Sequence, residues 1–248
     1  MNRFCLVVWI VACLVSTSVW ALQFPSSMSS DQVSQLSKLI GTNTASKVIG
    51  SPYAIGGHDG LELGMSLEWL DLNDIKNLGS GVEHHQDLRF SRIMIGKGLY
   101  YDVDVFWHFS PLSFGNNFKD FGVLLRWGFY HPDNGPWTVS LVFSSNSMNL
   151  NDVYFNNNLG ADLVLGFNRY RWSVYAGLGV LKSFSRINPY LNGQAITASG
   201  MRERYDHGAF RTQLGAQYSF GEKMRYYTGI QFDQVSEFSA GVKLGTRF

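Results

Sequence analysis

The last twelve residues, Glu237-Phe238-Ser239-Ala240-Gly241-Val242-Lys243-Leu244-Gly245-Thr246-Arg247-Phe248, decide how the rest of the chain is read. Taken at every second position, one face is Phe238, Ala240, Val242, Leu244, Thr246 and Phe248. The other is Glu237, Ser239, Gly241, Lys243, Gly245 and Arg247. Alternation with period two marks a strand whose faces meet different surroundings. Here the apolar face carries no charge, while the polar face carries Glu237, Lys243 and Arg247. An edge strand of a soluble sandwich can alternate in the same way, so the remaining segments have to decide between the two.

A terminal aromatic preceded by apolar residues at every second position resembles the closing strand of bacterial outer-membrane β-barrels. The resemblance implies that Phe248, Leu244 and Val242 form an assembly signal read by the barrel-assembly machinery. It also implies residence in the outer membrane of a Gram-negative bacterium, in contact with outer-membrane lipid and lipopolysaccharide. It covers about residues 59–248 and concerns architecture, not activity.

Composition agrees. The chain has 248 residues, a net charge of +1, 15% aromatic residues and 16% charged ones, against roughly 25% charged in ordinary soluble domains. Mean hydropathy is −0.06, which excludes a helical membrane protein. It is what a wall apolar outside and polar inside averages to. No basic run points to nucleic acid.

Residues 1–21 read as an export signal: Arg3, an apolar run from Phe4 to about Val15, then Val19 and Ala21 where a signal peptidase cuts. Ile10-Val11-Ala12-Cys13 also fits a lipoprotein pattern. Cleavage after Ala21 removes Cys5 and Cys13 and leaves no thiol chemistry to the mature protein. Residues 22–58 follow as a periplasmic arm or a lumen plug. Ser29-Ser30-Asp31 suits a helix cap, Val33, Leu36, Leu39 and Ile40 share a helical face, and Gly41 reads as the stop. So short a helix is marginal in isolation.

From residue 59 the expectation is an all-β fold, an antiparallel transmembrane β-barrel of about ten strands after a short, partly helical N-terminal segment. Each alternating segment is near the roughly ten residues that cross a bilayer at a tilt. Outward faces include Leu61 to Trp69, Val103 to Phe109, Phe121 to Phe129, Trp137 to Phe143, Leu159 to Phe167, Trp172 to Val180, Phe210 to Phe220 and Tyr226 to Phe232. The second strand, about 88–97, is the weakest, because Phe90 falls opposite Ile93 and Ile95 and suggests a bulge. From the third strand onward no outward position in these segments is charged, as lipid demands.

With the C-terminus in the periplasm, connections near Gly98, 131–136, 168–171 and 221–223 fall inside and are short. Those at 71–87, 110–120, 145–152 and 184–208 fall outside and are longer, the usual outer-membrane asymmetry. The aromatics then sort into two belts. Trp127, Trp137, Trp172, Tyr218 and Phe248 lie near the inner interface, and Phe109, Phe121, Phe143, Phe210 and Phe238 near the outer one.

Inward positions carry the candidate functional groups: Glu62, Glu68, Asp102, Asp104, His108, Arg126, Asp162, Arg211, Lys243 and Arg247. Their mixed signs argue against a strongly ion-selective ring, and Arg126 is the expected partner of the aspartates. Asp102-Val103-Asp104 with Asp206-His207 superficially resembles the aspartate pair and Asp/His couple of the omptin proteases, also ten-stranded. Placement separates the two halves by most of a bilayer, beyond the reach of acid–base catalysis. No serine is singled out for a phospholipase-like site beside His108, and His84-His85 lacks a third ligand. Neither a catalytic residue, a metal nor a cofactor is assigned. Arg186, Tyr190, Arg202 and Arg204, expected in an external loop, are candidates for lipopolysaccharide phosphates or an external partner. The leading functional reading is a small or plugged pore or transporter for small solutes or apolar molecules, the latter by loose similarity to fatty-acid channels with N-terminal plugs. The alternatives are a structural or surface-interaction barrel with a filled lumen and, last, an outer-membrane lipid hydrolase.

Overall fold

Ten strands close on themselves in the computed structural model, which describes residues 22–82, 84–111, 117–132, 135–221 and 225–248. The expected export signal lies outside these residues, as do parts of the turns at 131–136 and 221–223. The strands are β1 (Leu61–Asp71), β2 (Asp87–Gly98), β3 (Val103–Phe109), β4 (Phe118–Tyr130), β5 (Trp137–Leu150), β6 (Tyr154–Arg169) and β7 (Trp172–Ile187). A small hairpin, β8 (Tyr190–Leu191) and β9 (Gln194–Ala195), interrupts the connection to β10 (Glu203–Phe220), β11 (Tyr226–Gln234) and β12 (Phe238–Arg247). Each barrel strand pairs antiparallel with the next, and β12 returns to β1 in an unbroken register from Glu62↔Arg247 to Leu70↔Ser239. Phe248 and Leu61 exchange backbone hydrogen bonds at this seam (2.9 and 3.3 Å). Closure leaves the barrel sheet without an open edge.

The alternation read from the closing strand holds around the barrel. Outward residues are the exposed ones, up to 67% for Leu178 and 82% for Phe210. A continuous belt of such side chains fits lipid and not water. Aromatic girdles mark one end, with Trp137 against Phe167 (4.9 Å) and Trp172 against Tyr218 (4.6 Å). We call this the near end. It carries Leu61, Gly98 and Phe248, and the far end carries 188–202 and the described residues of the connections 72–86 and 110–117.

Several expectations are corrected. Phe90 makes no bulge: β2 keeps register with β1 throughout. Phe90 points inward because β2 there enters an apolar core, where it stacks on Phe118 at 4.5 Å. The register shift falls in β4, between Trp127 and Tyr130. The outer connections expected at 145–152 and 184–208 are mostly strand, since lipid constrains only the membrane-spanning part and pairing continues past it. Asn151-Asp152 close β5 onto β6 with φ of 55° and 56°, two consecutive left-handed residues as in a tight type I′ hairpin turn. Arg186 and Arg204 therefore stand on β7 and β10, directly paired and facing outward, while Tyr190 lies in β8 and Arg202 just before β10. Outward charges do occur past the third strand, at Lys119, Lys182, Arg186, Arg204 and Asp206 in these far extensions and at Arg169 at the near end of β6.

Residues 22–58 run through the barrel. Ser26 bridges to Ser80 and Met28 to Thr197 at the far mouth. Helix α1 (Ser30–Asn43) follows, opened by a capping box in which Ser29 accepts from the Gln32 amide and Gln32 accepts from the Ser29 amide. Gly41 is not its stop. A methyl group there would sit 2.5 Å from Ser183 Oγ and 2.7 Å from Tyr154 Oη, so glycine is needed for the helix to lie against the wall. Val33, Leu36, Leu39 and Ile40 join Leu70, Ile75, Leu78, Leu88, Phe90, Leu150 and Ile187 in one buried cluster across the mouth. This packing supplies what an isolated helix of this length lacks. Residues 44–55 then descend the lumen, and His58 stacks on Tyr100 at the near end (5.0 Å).

Candidate functional site: the occupied lumen

Below the mouth is a waist where polar and charged side chains surround residues 44–52. Beside them, in a buried apolar cluster, Val48 and Ile55 meet Met94, Phe106, Leu124, Val142, Val164 and Tyr175 of the wall. Three arginines from three parts of the wall each donate to one carbonyl of that segment. Arg92 reaches Thr44 O (2.8 Å), Arg211 reaches Ser46 O (3.0 Å) and Arg126 reaches Ser51 O (2.6 Å). Wall side chains satisfy its amides in turn: Gln231 Oε1 accepts from Ile49 N (2.9 Å), Tyr175 Oη from Gly50 N (3.0 Å) and Gln217 Oε1 from Ser51 N (2.8 Å). An irregular segment buried in a membrane-spanning barrel has no water for its peptide groups, and these contacts stand in for it.

Each arginine also holds a wall carboxylate. Arg92 pairs with Glu68 and Asp120 (both 2.7 Å), Arg126 with Asp104 (2.7 Å), and Arg211 with Asp233 (3.0 Å) and Asp162 (3.3 Å). Toward the near end Glu62 takes Lys243 (2.7 Å), Arg247 (2.9 Å) and the Tyr227 hydroxyl (2.6 Å). The segment contributes one charge, Lys47, on Glu68 (3.2 Å). Among the described residues six interior carboxylates thus face six cations, five on the wall and one on the segment.

Of the ten inward candidates, Glu62, Glu68, Asp104, His108, Arg126, Asp162, Arg211, Lys243 and Arg247 line this space. Asp102 does not. With Tyr101 it forms the near-end turn between β2 and β3, at φ of 59° and 58°. Its carboxylate is 39% exposed beside His131 (3.1 Å), because the strand begins only at Val103. The residues that sequence reasoning missed are Ser46, Lys47, Arg92, Asp120 and Asp233. Arg92 sits in the weakest alternation. Asp120 precedes, and Asp233 follows, the alternating residues that drew the expected strand ends.

Ser46 Oγ lies 2.7 Å from His108 Nε2, and His108 Nδ1 faces Asp120 Oδ2 at 3.1 Å without the alignment of a hydrogen bond. The order is that of a nucleophile, base and acid. All three side chains are buried, however, and Asp120 Oδ2 is also held by Arg92 Nε (2.7 Å). Ser46 belongs to the segment and His108 to the wall, so in this arrangement the contact fastens one to the other.

No protein-family model matches the sequence. No curated protein matches it either. Among solved structures, the N-terminal β-barrel domain of Pseudomonas aeruginosa OprF is similar at 13% identity and a TM-score of 0.39, over 77% of this chain and 99% of that one. The KdgM porin in complex with disordered oligogalacturonate is similar at 11% identity and 0.36, over 76% and 98%. A loop-deletion form of OmpT, an outer membrane protein of Vibrio cholerae, is similar at 8% identity and 0.32, over 91% and 74%.

Proposed function

We propose that the chain is an outer-membrane β-barrel of a Gram-negative bacterium, with the near end in the periplasm, and that residues 22–58 plug a pore for small polar solutes. The division of charge carries this reading. If the segment is withdrawn, every interior carboxylate keeps a wall cation, and only Lys47 leaves. The hydrogen bonds released are to groups that water can satisfy. The lining left behind has a wettable side, Ser140, Asn146, Asn158, Ser173, Gln213 and Gln217, and an apolar side, Met94, Phe106, Leu124, Val142 and Val164. Five wall cations against six carboxylates give the vacated lumen a slight preference for cations.

The test is conductance of the refolded mature protein in a planar bilayer. The intact chain is expected to be silent, and the chain lacking 22–58 to conduct with weak cation selectivity. Lys47→Glu, which sets a like charge beside Glu68, is expected to produce intermittent opening in the intact chain. It serves where the deletion variant does not fold. Silence of folded protein in every form would establish the second reading, a filled structural or surface barrel. The apolar cluster across the mouth favours that one, because a pore has no need of a core there.

A further inference from the structure

Outside the barrel, in the far extension of the wall, register aligns Lys119 (β4), Asn149 (β5), Phe155 (β6), Arg186 (β7) and Arg204 (β10) as one row of directly paired residues. The adjacent row toward the apolar belt holds Phe121, Phe184 and Asp206, and Lys182 follows one row beyond. All but Lys182 line a shallow depression of about 850 Å³. Three cations, Lys119, Arg186 and Arg204, share it with Asp206, which pairs with Lys182 just beyond its edge (2.6 Å). Asp120 also borders it, but its carboxylate turns inward to Arg92. Among the described residues no carboxylate pairs with Lys119, Arg186 or Arg204.

Arg186 and Arg204 are direct cross-strand partners, and like charges so placed destabilise a sheet unless something neutralises them. Arg186 lies over the Phe155 ring at 4.4 Å, and its Nε has no hydrogen-bond partner. Lys182 lies by the Phe184 ring at 5.7 Å. Cationic heads therefore crown aromatic rings where the wall emerges from its apolar belt.

We infer that this strip binds the phosphates of lipid A in the outer leaflet. The phosphates sit among Lys119, Arg186 and Arg204, and the acyl chains run along Phe121, Phe155 and Phe184. Planar guanidinium forks suit phosphate oxygens, and the rings supply the boundary between headgroup and chain. The inference rests on the outer-membrane reading with the far end outward, but not on the lumen being a pore.

The experiment uses the mature protein refolded in a maltoside detergent, titrated with diphosphorylated lipid A in mixed micelles and followed by tryptophan fluorescence. Removing each cation is expected to weaken binding about fivefold, so Arg186→Gln/Arg204→Gln should weaken it about 25-fold. Arg89→Gln, an equal loss of charge on β2, should leave it unchanged. Where the double variant does not fold, Arg204→Gln alone carries the comparison. Equal binding by wild type and variant, or of dephosphorylated lipid A, would overturn the proposal. So would equal competition by inorganic phosphate, which would make the strip a simple anion site. Flotation with phospholipid vesicles checks the membrane reading separately: a protein that binds lipid A in micelles yet does not integrate would sink that reading alone.

Discussion

The mouth and the waist of this barrel are filled in opposite ways. Across the mouth, α1 and the far connections pack Met28, Leu36, Ile40, Leu72 and Ile75 as a soluble protein packs its core. Such packing grows with buried area and is non-directional. At the waist residues 44–47 are held by hydrogen bonds and an ion pair to Arg92, Arg211, His108 and Glu68, and stability there depends on each charge finding its partner. Well-paired buried charges add little net stability, but a partner left alone is costly. The mouth therefore sets how firmly the segment is held, and the waist sets where it lies.

Arg92→Leu should have the largest effect on stability, since it strands Asp120 and leaves Glu68 with Lys47 alone. Losing one partner of a buried pair costs roughly 3–5 kcal/mol, readable as a lower urea midpoint of the refolded protein. A loss no greater than that of an apolar truncation would break the contrast between the two regions. Leu36→Ala should cost roughly 2–5 kcal/mol. It should raise opening of the intact chain in a bilayer more than any waist variant that spares the ion pairs. Ser46→Ala removes one hydrogen bond to His108 and should cost about 1 kcal/mol. Conductance that rises more for Ser46→Ala than for Leu36→Ala would reverse the roles assigned to the two layers.

The smallest effect is at the rim. Glu237, in the turn between β11 and β12, has its carboxyl held above its ordinary value of 4.5 by burial and by Asp74 and Asp71 beside it. The folded state thus holds this proton more tightly than the unfolded one. Its contribution to stability is complete below pH 4.5 and is lost as pH rises through the higher folded value. Hydrogen-exchange protection of the rim should fall over that window, and Glu237→Gln should flatten the fall.

The wall was far more legible than its contents. Lipid imposes one rule on every outward residue, so Phe238 to Phe248 could be read alone and the same alternation found nine more times. That rule ends where the bilayer ends. Nothing in the sequence marks that β7 and β10 continue through Arg186 and Arg204, or that Asp102 belongs to a turn. The waist was less legible still. Ser46 meets His108, and Arg92 meets Asp120, across a lumen that only closure creates. Alternation says which side chains face inward but not which of them will touch. The location of residues 22–58 had the same obstacle, since the partners of Thr44, Ser46 and Ser51 lie on β2, β10 and β4.

The route of that segment also bears on how the molecule is made. Gln23 is tied to Gln86 at one mouth, and thirty-odd residues later the chain enters β1 at the other, where Leu61 meets Phe248. A ring cannot easily be threaded after it is joined, so the cord must already lie in place when the first and last strands zip together. The cord is then a mandrel as well as a stopper. A short epitope placed ahead of Leu22 should be accessible to antibody on intact cells, whereas a stably folded domain fused there should stall zipping and leave the chain protease-sensitive.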